Sequence, residues 1–135
     1  MTEWDQVVNN VLNILGLICC WIKKRLNYLE FEQMIRKYDI ICLVETKTDD
    51  IDIVKLEGYE IHMKNRKIVA KNRSGGIILG CRQEIVSKIK PLHTNSKYVF
   101  WFKVSSDIVK LDQDIIFGIV YIPPENTVLF FSRCV

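Results

Sequence analysis

The sequence predicts an α/β or α+β sheet domain, and three observations carry that prediction. Phe31, Met34, Ile35 and Tyr38 recur at the spacing of one apolar helix face. The run Ile40-Ile41-Cys42-Leu43-Val44 is continuously apolar, rich in branched side chains, and closes on Glu45. From Tyr59 to Ile122 a succession of strand-like segments is punctuated by glycine, proline and aspartate. One helix followed by many strands is the pattern of a sheet packed with helices. The chain has 135 residues, 49% of them hydrophobic and 26% charged, which suits one domain with a packed core rather than disorder. Its net charge of +3 permits an acidic partner without demanding one.

In chain order, Val11 to Leu17 is a short apolar run compatible with a strand or a helix. The helix expected next is capped by Asn27, with Glu30 and Glu32 suiting the positive end of its dipole. Asp39 opens the buried strand over residues 40–44, and Asp49, Asp50 and Asp52 read as turn and helix-start residues. Gly58 breaks the chain before Tyr59, Ile61 and Met63, whose alternation marks a half-buried strand. Ser74-Gly75-Gly76 is a tight turn, after which Ile77 to Gly80 resumes as an apolar strand. Tyr98 to Val104 and Ile115 to Ile122 are further strands, and Pro123-Pro124 ends the last because proline cannot donate to a ladder.

Cys19, Cys20, Cys42, Cys81 and Cys134 are odd in number and show no Cys-x-x-Cys spacing, which argues against a zinc site or a disulfide framework. A reducing, intracellular setting, nuclear or cytoplasmic, is expected. Val7 to Ile22 is apolar and followed by Lys23, Lys24 and Arg25. It falls short of the roughly 20 residues of a spanning helix and is interrupted by Asn9, Asn10 and Asn13. No membrane association is the expectation, with an anchor there ranking third among the readings.

Four features could carry chemistry. Glu45 closes an apolar strand at a sheet end, where ligands gather, and a buried carboxylate needs a cation or a partner. The simpler reading pairs it with Lys47 in solvent. Asn13, between Leu12 and Ile14, could orient a carboxylate or a metal-bound water, or could equally satisfy a backbone group. Tyr121 could donate its hydroxyl to a phosphate oxygen, although strand-end tyrosines are common. Lys64, Arg66, Lys67, Lys71 and Arg73 crowd into ten residues and could track a phosphate backbone, or form a solvated loop.

Taken in order, the segments resemble a known family. Asn13-Ile14-Leu15-Gly16-Leu17 looks like an Asn-x-x-Gly-Leu motif. Tyr38 to Lys47 resembles an aspartate, apolar strand and Gln-Glu-Thr motif, with Val44 where glutamine is frequent. Leu56-Glu57-Gly58-Tyr59, Arg73-Ser74-Gly75-Gly76-Ile77 and Ile119-Val120-Tyr121-Ile122-Pro123-Pro124 match three further signatures. Together they resemble the endonuclease/exonuclease/phosphatase domain of LINE-type retrotransposons, over residues 11–126, with 127–135 a divergent tail.

The resemblance implies the first part of a four-layer α/β/β/α sandwich, truncated, that hydrolyses phosphodiesters of DNA with Mg2+ or Mn2+. It implies Glu45 as a metal ligand, Asn13 as a metal-site and phosphate-site partner, and Tyr121 as a phosphate-positioning donor. The later Gly-Asp-x-Asn and Ser-Asp-His motifs of the family are absent from this chain. The expectation is therefore an inactive retroelement fragment that self-associates through an uncovered sheet face. The alternative is a non-catalytic nucleic-acid or protein-binding fragment using Lys64, Arg66, Lys67 and Arg73. A working nuclease centre has one structural condition: Glu45 and Asn13 must face the same pocket.

Overall fold

The computed structural model describes residues 12–48, 53–64 and 76–122. Chain order is β1 (Ile14–Ile18), α1 (Ile22–Arg25), α2 (Leu29–Ile35), β2 (Ile40–Val44), β3 (Tyr59–Lys64), β4 (Ile77–Arg82), a 3₁₀ turn (Gln83–Lys88), β5 (Ile89–Leu92), β6 (Val99–Val104), α3 (Ser106–Val109) and β7 (Ile115–Val120). The class is mixed α and β, as the pattern predicts. The apolar run before Gly16-Leu17 resolves as a strand, displaced to Ile14–Ile18.

The strands form two sheets, one ordered β1-β2-β4-β3 and the other β5-β6-β7. Strand β2 is parallel to β1, with Ile14 beside Ile40 and Ile18 beside Val44. It is antiparallel to β4, which in turn pairs antiparallel with β3. A strand flanked on both edges and covered on both faces has nowhere to place a polar side chain. That explains the unbroken apolar run from Ile40 to Val44. Alternation divides it: Ile40, Cys42 and Val44 join one hydrophobic cluster, and Ile41 and Leu43 another.

The first cluster joins the two sheets. Ile40, Ile77, Leu79 and Cys81 of the first sheet pack with Ile89, Phe100, Phe102, Val104 and Ile119 of the second. The second cluster lies on the opposite face of the first sheet, where Ile22 of α1 and Ile35 of α2 meet Ile41, Leu43, Tyr59 and Ile78. Helices, one sheet and a second sheet thus follow one another. On the outer face of the second sheet Ile116, Val120 and Trp101 are exposed among the described residues. Trp101 lies beside Gly118 in register, and its ring occupies the space a side chain would take there.

Two local expectations need correction. Tyr28, not Asn27, precedes the first turn of α2, and no side chain caps it. The helix also ends at Ile35, so Tyr38 lies beyond it. Past the helix end the Tyr59 hydroxyl donates to the Tyr38 carbonyl at 2.6 Å and lies 3.3 Å from the carbonyl of Ile35, an oxygen left over at the helix end. Glu30 and Glu32 do stand in the first turn, and Glu32 pairs with Arg36 at 2.9 Å. Residues 49–52, 65–75 and 123–135, with the turn aspartates and the diproline, lie outside the described residues.

Cys19, Cys42 and Cys81 are free thiols. Burial pushes Cys42 up to about 12, so it packs as a small apolar group and not as a nucleophile.

Candidate functional site at the carboxyl end of the parallel pair

Strands β1 and β2 run side by side, so their ends define two separate places. At the amino end sits Asn13, and at the carboxyl end sits Glu45. Asn13 stands one residue before Ile14, at the level of Asp39, and Glu45 follows Val44. Six residue steps of extended chain lead from Asp39 to Glu45, which is about 20 Å. The expected shared pocket of Asn13 and Glu45 is therefore not formed. The physical reason is register: β1 begins after Asn13, so its amide stays with the strand start.

Asn13 acts there through its backbone. Its N–H donates to Asp39 Oδ2 at 2.8 Å, and its carbonyl accepts from the N–H groups of Asp39 (2.8 Å) and Ile40 (3.1 Å). The residue itself is exposed. Arg82 completes this end, with Nε 3.4 Å from Asp39 Oδ1 and a further hydrogen bond to the Arg36 carbonyl. Asn13 thus serves as a staple between strand starts through its backbone, a role that neither reading of its side-chain amide anticipated.

The carboxyl end is built differently. Glu45 is buried, 9% exposed, and has a left-handed backbone with φ 56°. Lys47 repeats that conformation at φ 55°. Left-handed backbone is uncommon for residues with a side chain and gathers where the surrounding structure imposes it. Lys47 Nζ lies 3.8 Å from Glu45 Oε1 and 4.9 Å from the centroid of the Trp21 ring. Trp21 is itself left-handed at φ 61°, in the turn entering α1. The Lys47 pairing seen as a solvent contact in the sequence is thus present, but around a buried carboxylate.

Tyr121 reaches the same place from the other sheet. Its backbone N–H donates to the Tyr98 carbonyl at 2.8 Å, which fixes it just past the end of β7. Burial pushes its phenol well above the usual range, followed by a hydrogen bond to Glu45 and by that carboxylate's charge. Glu45 and Tyr121, both singled out from the sequence, do meet.

Between Glu45 and Lys47, Thr46 is 1% exposed, and its hydroxyl lies 3.0 Å from that of Thr48. Gly76 seals this segment by accepting from the Thr46 N–H at 3.4 Å. Its φ is 94°, and a Cβ there would stand 2.4 Å from Thr46 Oγ1. Only glycine suits that position.

A hard divalent cation does not fit this donor set. Mg2+ takes six oxygens in near-ideal octahedral geometry. Here one carboxylate is shared with an ammonium and a phenol, and the two threonine hydroxyls lie against each other. Among the described residues, no three His, Cys, Asp or Glu side chains gather as metal ligands.

Lys64 is not a free phosphate contact either. Its ammonium donates to the carbonyls of Val99 (2.9 Å) and Thr94 (3.2 Å) and to Thr94 Oγ1 (3.3 Å). Desolvation lowers its pKa. It ties the edge strand of one sheet to the β5–β6 connection of the other. Arg66, Lys67, Lys71 and Arg73 lie outside the described residues.

Sequence reasoning passed over Trp21, Arg82 and the Thr46–Thr48 pair. A tryptophan directly before three basic residues was the available signal for the first. No helix among the described residues is long and apolar enough to cross a membrane. The chain matches no known family model, and no curated protein matches it.

Proposed function

We propose that this chain is a catalytically silent fragment of a metal-dependent phosphodiesterase domain of retroelement origin. In this reading it keeps a strand-end carboxylate and its tyrosine but has no working hydrolytic centre. The observation that supports it is the meeting of Glu45 and Tyr121, from different sheets, at the carboxyl end of β2. The resemblance makes Glu45 a metal ligand and Tyr121 a phosphate-positioning donor, and carboxyl ends of strands are where α/β sheets place ligands.

The position of Asn13 removes the pair on which an active centre depended, so a working nuclease is not proposed. The carboxylate that remains already has a lysine beside it. With no positioned base and electrophile among the described residues, the ordinary gains of acid–base catalysis, about 10²–10⁴-fold, are not expected.

The test is nicking of supercoiled plasmid DNA with Mg2+ or Mn2+, comparing wild type with Glu45→Ala. Equal background rates are expected. Robust nicking by wild type that disappears in the variant would overturn the proposal.

A further inference from the structure

The carboxylate at the end of β2 has a cation of its own. Lys47 Nζ approaches Glu45 Oε1 to 3.8 Å while standing over the Trp21 ring at 4.9 Å. The side chains of Lys47 and Glu45 are 24% and 12% exposed, so neither is a loose surface group. Three left-handed residues, Trp21, Glu45 and Lys47, set these groups against one another. A flexible lysine ordinarily keeps its head in water. Here an aromatic face on one side and a carboxylate on the other give it a defined seat.

We propose that the Lys47 ammonium is the resident cation of the Glu45 pocket, seated on Trp21, and that it keeps divalent metal ions out. A divalent ion arriving at Glu45 would meet a like charge already in place. It would have to lift Lys47 from the indole, and it would gain one carboxylate that Tyr121 also engages. Among the described residues the local groups are one carboxylate, one ammonium and the neutral Tyr121 phenol beside them. The inference rests on the Glu45 geometry and not on nuclease ancestry. A metal-binding readout therefore separates its failure from that of the fragment reading, which is decided by nicking.

Full-length wild type, Lys47→Gln, Lys47→Arg and the Glu45→Gln/Lys47→Gln double variant are titrated with Tb3+, read by tryptophan-sensitised luminescence, and with Mn2+, read by calorimetry. Thermal melts accompany each variant, and Lys47→Arg supplies a charge-preserving control. Wild type and Lys47→Arg are expected to show no saturable site. Lys47→Gln is expected to bind both ions at least about tenfold more tightly, a gain of about 1.4 kcal/mol by the usual conversion. The double variant is expected to lose that gain. Wild type binding as tightly as Lys47→Gln, or a Lys47→Gln variant that folds and gains nothing, would overturn the proposal.

Discussion

At the amino end of the β1–β2 pair, Asp39 accepts the Asn13 N–H and faces the Arg82 guanidinium. At the carboxyl end, Glu45 faces Lys47 and stands close enough to Tyr121 to raise the pKa of its phenol. Both acids flank the same five-residue strand. At the first end the partners include backbone groups, and the result is a joint between strand starts. At the second the partners are side chains brought from a turn, a neighbour two residues on, and another sheet. A carboxylate next to an apolar strand is thus not a site by virtue of its position. What distinguishes the ends is whether the surrounding groups belong to the ladder or converge on the acid from elsewhere.

The largest effect is expected from breaking the second end at its backbone. Gly76→Ala forces a side chain into a left-handed position against Thr46. It should cost about 2–4 kcal/mol, read as a lower urea midpoint. An unchanged midpoint would show that the segment 45–48 is not held by this contact. At the first end, Asp39→Ala leaves the Asn13 N–H without its acceptor and the Arg82 guanidinium without its ion-pair partner. A loss of about 1–3 kcal/mol in the same assay is expected. A neutral outcome would mean that water replaces the carboxylate.

The comparison sharpens with pH. In the unfolded chain Tyr121 ionises near about 10, whereas in the fold burial and Glu45 hold its proton to higher pH. Above the unfolded value the unfolded state binds fewer protons than the native state. The stability from this group is therefore complete below about 10 and is lost as pH rises through the folded pKa. Ultraviolet titration, referenced to Tyr121→Phe, should place the Tyr121 midpoint above that of free tyrosine. Glu45→Gln should bring it part of the way down, because burial, the larger cause, persists. The smallest effect belongs to Asn13→Ala. Its contacts across the strand starts are made by the backbone, so a change within about 0.5 kcal/mol is expected. A loss several times larger would restore a role for the amide.

The strand at Ile40–Val44 was legible because a strand covered on both faces must be continuously apolar, and Ile115–Val120 because its branched and aromatic residues favour a strand even with one face exposed. The 3₁₀ turn and β5 were not, since Lys90 and Pro91 interrupt any strand pattern and the segment is only four residues long. Glu45 and Tyr121 were legible as strand-end residues. Their meeting was not, because it depends on how two sheets pack. The error over Asn13 has the same origin. A motif names residue types along the chain, while parallel register is a long-range property decided by which apolar face must be buried. Trp21 and the left-handed turns at Glu45 and Lys47 escaped notice because left-handed backbone is written in sequence mainly by glycine and asparagine.

The order of the first sheet also has a temporal consequence. Strand β4 lies between β2 and β3, although β3 comes earlier in the chain. Sheet β5-β6-β7 is a run of sequential neighbours that can zip by short loop closures. The other sheet must wait for β4 to arrive before β2 and β3 acquire a common neighbour, a search over longer chain separations that is intrinsically slower. The surroundings of the carboxylate at the end of β2 are therefore expected to assemble after the β5-β6-β7 sheet, which pulse-labelled hydrogen exchange would read as later protection of β2 than of β6.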